Sequence, residues 1–277
     1  MRGTRQATMK ALAVLGHCCW AAFFVQLVPS FLYGISIWWG FVPLILAVGL
    51  KGASQLLARP AGEPGPPVEV EPPVTGRWSA LNSPADRVPS HGTHGYGQTY
   101  AIDVAAEPTE GARPAFGWWP VARRNHDFPA FGAPLLAVAD GTVVRASDWR
   151  RDHLSRNSYP ALAYLLVEGL LRDIAGATMV IGNHVVLDLG DGTYALYAHV
   201  RRGSLTVRPG DRVRAGQRLG DCGNSGNSSE SHLHFQLMDT PDPVTARGVP
   251  FSWRGCGVPA GGTSFEIQQT SHPASPA

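Results

Sequence analysis

Charge is scarce in this sequence, and the scarcity is uneven. Asp, Glu, Lys and Arg make up 16% of the chain, and the formal net charge is +2. A balance so near neutrality leaves no polyelectrolyte footprint, so nucleic acid is not implied as a partner. From Ala11 to Leu50 there is no Asp, Glu, Lys or Arg at all, and the single histidine there is His17. As continuous helix that run would reach about 60 Å, against a bilayer hydrocarbon core of about 30 Å. Pro29-Ser30 divides it, which predicts two transmembrane helices, Ala11–Val28 and Phe31–Leu50, after a basic N-terminus at 1–10. A signal peptide has a much shorter apolar core, so two spans are the better reading.

Cysteine is also scarce. Cys18 and Cys19 fall inside the first span and read as packing residues, while Cys222 and Cys256 lie beyond the spans. The latter pair could bridge only in an oxidising compartment. Neither belongs to a CxxC knuckle, so a thiolate zinc ribbon is excluded.

Topology is read from the flanks of the apolar run. Arg2, Arg5 and Lys10 precede it, and Lys51 and Arg59 follow it. A hairpin puts both basic ends on one side, and excess Lys and Arg marks the cytoplasmic side. That expectation conflicts with the functional one reached below, which places the rest of the chain outside.

Past the spans, residues 51–77 include "RPAGEPGPPVEVEPPVTG", whose Pro and Gly predict an extended tether. From 78 to 258 the pattern changes to short β-branched or alternating runs joined by DG and PG turns. "LDLGDGTYAL" is a strong hairpin signal. The fold class expected is mostly β, an antiparallel sheet. One departure is "SYPALAYLLVEGLLRDIAG", about 158–176, apolar at helical spacing and ended by Gly: an inserted helix. Such a helix would pack on the domain, or rest on the membrane or the spans. The polar residues 259–277 are expected to be a disordered tail.

The chemistry-bearing residues sit in three places. "HLHF" sets His232 and His234 at alternate strand positions, so both imidazoles project from one face while Leu233 points away. "YAIDVA" places Asp103 among apolar strand residues, where a carboxylate is costly unless paired or bound to a cation. "LYAHV" puts His199 at a strand end, and His91 and His94 lie upstream in "SHGTHGYGQTYAIDVA". Catalytic zinc takes three ligands from His, Asp and Glu and keeps one position for water. "CGNSGNSSES" carries G-x-S-G-N in place of the G-x-S-x-G nucleophile elbow, so it reads as a tight loop feeding the HLH strand.

The order H…D, "YAH", "HLHF", with "GAPLLAVADGTVV" and "VRPGDRVRAGQRLGDCGNSGNS" between, resembles the lysostaphin/LytM-type zinc metallopeptidases of family M23, over about Ser90 to Asp239. The resemblance implies a β-sheet peptidase that binds one Zn2+ and cleaves peptide bonds of bacterial peptidoglycan. It implies Asp103 and His234 as zinc ligands, with His199 and His232 flanking the metal's water. The third ligand departs from the short pattern H-x-x-x-D. His91 is preferred, because longer-loop members keep a larger gap, and His94 is the alternative. The resemblance implies peptidoglycan peptides as partners, and the two spans imply membrane lipid. A catalytically silent adaptor and a D-Ala-D-Ala-type carboxypeptidase are the competing functions.

Overall fold

The computed structural model describes residues 2–34, 36–59 and 65–268. Helix α1 (Arg2–Tyr33) and helix α2 (Phe41–Ala58) form an antiparallel hairpin. Within it Ala7–Tyr33 and Trp38–Ala58 are long and apolar enough to cross a membrane. The break does not fall at Pro29-Ser30 as expected. Pro29 removes one N–H in the last turns of α1, a loss the helix survives. The helix ends at Gly34, whose φ of 66° is open to glycine. At the base of the hairpin the Arg5 guanidinium donates to the carbonyls of Leu57, at 2.9 Å, and Arg59, at 2.8 Å.

Thirteen strands follow among the described residues: β1 (Val68–Val70), β2 (Gly76–Asn82), β3 (Ile102–Ala106), β4 (Pro134–Leu136), β5 (Gly141–Ser147), β6 (His184–Asp188), β7 (Tyr194–Ala198), β8 (Arg212–Val213), β9 (Arg218–Asp221), β10 (Leu233–Met238), β11 (Gly248–Val249), β12 (Phe251–Trp253) and β13 (Ser264–Ile267). The main sheet has nine strands, ordered β13-β2-β3-β10-β7-β6-β5-β8 with β11 on β10, and its pairs are antiparallel. The β6–β7 hairpin turns at Gly190-Asp191-Gly192, all three at positive φ, as the "LGDG" sequence calls for.

Alternation along these strands separates a dry face from a chemical one. Val104, Tyr197, Leu233, Phe235 and Leu237 point into the main core, where the β4–β9 and β1–β12 ribbons cover them with Leu135, Leu219, Phe251 and Trp253. Asp103 and His234 occupy the opposite parity and are directly paired across β3 and β10. Burying the large side chains of the first set supplies the main stabilisation, about 1.5–3 kcal/mol for each fully buried one.

Two expectations about connecting segments are corrected. The tether beyond residue 64 is partly structured, because alternating Val68 and Val70 form β1 against β12 and Val70 is buried. The tail is not disordered throughout, since Ser264–Ile267 adds an edge strand to β2 and Phe265 stacks near Trp253. Residues 269–277 lie outside the described residues. Helix α3 (Tyr159–Ala175) occupies the inserted stretch, capped by the Ser158 hydroxyl accepting from the Ala161 amide, and a short helix α4 (Ala177–Ile181) follows. Cys222 and Cys256 are both free thiols.

Candidate metal centre

The strand register alone brings Asp103 and His234 together. His234 Nδ1 lies 2.8 Å from Asp103 Oδ1. His91 arrives from the loop after β2, with its Nε2 2.8 Å from Asp103 Oδ2. One ligand atom from each of the three residues falls within 4.8 Å of the others. A bulge in β2 between Ala80 and Asn82 turns Asn82 toward the same carboxylate, to which its Nδ2 donates at 2.8 Å.

The outer nitrogen of each of these two imidazoles is already committed. Ser90 Oγ donates to the Ala101 carbonyl, so it accepts from His91 Nδ1–H at 3.0 Å and leaves the lone pair of Nε2 facing inward. Gln236 Nε2 donates to the Tyr96 carbonyl, which fixes the amide with Oε1 accepting from His234 Nε2–H at 2.9 Å. His234 therefore turns the lone pair of Nδ1 inward. Two imidazole lone pairs and a carboxylate converge with no donor of their own between them, the arrangement a divalent cation satisfies. Two nitrogens and one oxygen also match the donor set of a catalytic zinc site.

His199 and His232 stand beside this cluster. His199 Nδ1–H donates to the Ser225 carbonyl and His232 Nδ1–H to the Glu230 carbonyl, each at 2.8 Å. Their Nε2 atoms are thus left for chemistry, and the two rings lie 4.8 Å apart. His199 sits at φ 62°, a strained conformation for a non-glycine residue. The Ser225 carbonyl reaches it because Gly182 and Gly226, both at positive φ, let two loops cross closely. A Cβ on Gly182 would stand 2.6 Å from the Ser225 carbonyl carbon. Ser225 is a structural residue: its hydroxyl donates to the Val200 carbonyl and accepts from the Asn183 amide.

Burial works against the Asp103 charge, but His91, His232 and His234 together hold its carboxyl well below the ordinary range. Burial, then the neighbouring His232 and His234, push His199 well down, toward a neutral imidazole. Burial pulls His232 the same way, yet Asp103 and Glu230 together outweigh it and the net shift is upward.

Of the residues expected from sequence, His91, Asp103, His199, His232 and His234 all line one groove of about 1200 Å³. His94 lines it too but is not one of the three clustered residues; its Nδ1 pairs with Thr99 Oγ1 at 3.0 Å. Sequence reasoning missed Asn82, Gln236 and Glu230. Gln236 was within reach, because it follows His234 by two positions on the same strand face. Glu230, held by Arg113 and Asn157, steadies the turn whose carbonyl orients His232.

Residues 167–246 match the model of Peptidase family M23. The match takes in His199, His232 and His234, while His91 and Asp103 join them through the fold. Among curated proteins the chain is similar to the glycyl-glycine endopeptidase ALE-1 of Staphylococcus capitis, at 43% identity over 112 residues. That alignment covers 40% of this chain and 23% of the relative. It is also similar to the peptidoglycan DD-endopeptidase ShyA of Vibrio cholerae, at 37% identity over 65 residues, 24% of this chain and 15% of the relative. The chain thus spans less than a quarter of the length of either protein. Among solved structures, the catalytic domain of lysostaphin from Staphylococcus simulans aligns at 25% identity, with a TM-score of 0.29. That alignment covers 49% of this chain and 85% of that one.

Proposed function

From the premise that the chain carries a peptidase family M23 domain, we propose that it is a zinc-dependent endopeptidase acting on peptidoglycan peptides, anchored in a bilayer by α1 and α2. The observation that carries this reading is the convergence of the His91 and His234 lone pairs on Asp103, with His199 and His232 alongside. His91, Asp103 and His234 would hold the zinc. Bound there, it supplies Lewis acidity toward the scissile carbonyl and a water acidified to a pKa near about 7.

The chain's own residues do the rest. One of the His199 and His232 Nε2 atoms takes the proton of the attacking water. The other, doubly protonated so that Nε2 carries a hydrogen, donates a hydrogen bond to the developing oxyanion and then passes that proton to the departing amine. Fixed Nδ1–H bonds to Ser225 and Glu230 keep both rings turned with Nε2 toward the groove before substrate arrives. The peptidoglycan substrate is supported by the relatives named as endopeptidases, one of peptidoglycan DD bonds and one of glycyl-glycine bonds. The bilayer anchor is supported by the length and apolarity of the two helices.

The test is metal analysis of the purified full chain, followed by mass spectrometry of peptidoglycan digested with it. Stoichiometric zinc, internal peptide cleavage, and loss on chelation that zinc restores are expected. Absence of zinc together with intact peptidoglycan overturns the reading in favour of an adaptor. Release of terminal D-Ala alone overturns it in favour of a carboxypeptidase.

A further inference from the structure

The groove that holds the His–Asp–His cluster has a second wall, and that wall is built from helices and not from the sheet. Leu12, Ala13 and Trp20 of α1 line it, together with Leu162, Leu165 and Leu166 of α3. The α1 residues belong to a segment apolar enough to cross a membrane. The groove therefore runs without interruption from a polar, ligand-bearing floor to the flank of a candidate membrane span.

Three features show that this juxtaposition is built into the fold. Asp173, at the end of α3, takes Lys51 Nζ of α2 at 3.0 Å and the Tyr96 hydroxyl at 2.6 Å, and lies 3.7 Å from His17 Nε2 of α1. Gln55 Oε1 of α2 accepts from the His94 and Gly95 amides at 2.9 and 3.1 Å, clamping the loop that carries His91 to the hairpin. The outer side of α3 continues the apolar surface away from the groove, with Val167 57% and Leu171 54% exposed. At its N-terminal end Trp118 packs on Tyr159 at 4.7 Å, an aromatic cluster of the kind that settles at a bilayer interface. A peptide in water has no use for such a wall. A peptide carrying hydrocarbon does, because its chain can stay among apolar side chains while the peptide reaches the cluster. Trp20 adds a buried indole N–H with no hydrogen-bond partner among the described residues, a donor for the polar linkage between chain and peptide.

We propose that the substrate is a lipid-linked peptide, whose peptide lies across the His91–Asp103–His234 cluster while its hydrocarbon runs along the wall made by α1 and α3. This deepens the endopeptidase reading above and rests on it.

The test uses the full chain in phosphatidylglycerol-containing nanodiscs and a cross-linked stem-peptide dimer joined to a C16 chain ending in a diazirine. Photolabelling followed by peptide mapping is expected to mark Leu12, Leu162 and Leu166. Excess acylated dimer without the diazirine should suppress the labelling about tenfold, and the unacylated dimer should not. Labelling confined to the far end of α1, at Val25 and Phe31, overturns the proposal. So does equal competition by the unacylated dimer.

In a second arm, kcat/KM for the acylated dimer is expected to exceed that for the unacylated one about tenfold. The ratio should fall to near one in the Leu162→Gln/Leu166→Gln variant. Equal rates on both dimers in the unsubstituted chain would sink the lipid-linked substrate and keep the endopeptidase. The expected labelling with neither dimer cleaved would support the hydrocarbon wall and sink the endopeptidase.

Discussion

His232, just ahead of β10, and His234 within it stand two residues apart and both face the groove, yet they present different nitrogens to it. His234 is held through Nε2 by Gln236 and turns Nδ1 inward, 2.8 Å from Asp103. His232 is held through Nδ1 by the Glu230 carbonyl and turns Nε2 inward, 3.6 Å from the same carboxylate. The nearer nitrogen suits a metal and the farther one suits a proton, so their removal should have different consequences. His234→Ala is expected to lose zinc and hydrolysis together. His232→Ala is expected to keep zinc while kcat falls about 10²–10⁴-fold. Metal content and turnover measured on the same preparations check this, and equal occupancy with equal activity in both variants refutes the division. The strand period made this face legible in "HLHF" and "YAIDVA", because parity needs no tertiary knowledge. The choice between His91 and His94 was not legible. The loop that follows them turns through Tyr96 and Gly97 at φ 57° and 73°, and no side-chain period applies there.

At the scale of elements, the loop carrying His91 depends on a helix remote in sequence. Gln55 of α2 supplies the acceptor for two successive amides, at His94 and Gly95, close after the candidate ligand. Replacing it by Leu leaves both amides without that partner and loosens the segment that aims His91 Nε2. Outer partners of ligating histidines typically contribute 10–100-fold in metal affinity. Gln55 acts one step further out, so Gln55→Leu is expected to weaken zinc binding about tenfold, read by chelator competition. Unchanged affinity would mean that Ser90 alone orients His91. This contact could not be read from the sequence, which offered α2 only as a membrane span. The same blindness to long-range pairing explains the tail. "SFEI" is short, exposed on alternate residues and polar in its surroundings, so it declares itself a strand only when β2 is there to receive it. By contrast α3 announced itself through apolar spacing, a Ser cap and a Gly stop, all of which are local.

At the scale of the whole molecule, the basic residues and the chemistry pull the domain to opposite sides. Arg5, Lys51 and Arg59 gather at the base of the hairpin on the domain's side, the pattern of a cytoplasmic flank. Long domains, however, translocate largely regardless of charge. Polymerised peptidoglycan is reachable only from outside. An export-dependent reporter fused after Ala277 is therefore expected to be active, and a reporter that works only in the cytoplasm silent. The reverse result would remove the polymerised wall from reach and leave a peptide still attached to its lipid as the substrate. The apolar wall of the groove suits that substrate on either face of the bilayer, since hydrocarbon is available from both leaflets. The orientation experiment and the photolabelling experiment thus constrain each other: a cytoplasmic domain whose groove fails to take an acylated peptide would have no peptidoglycan substrate to act on.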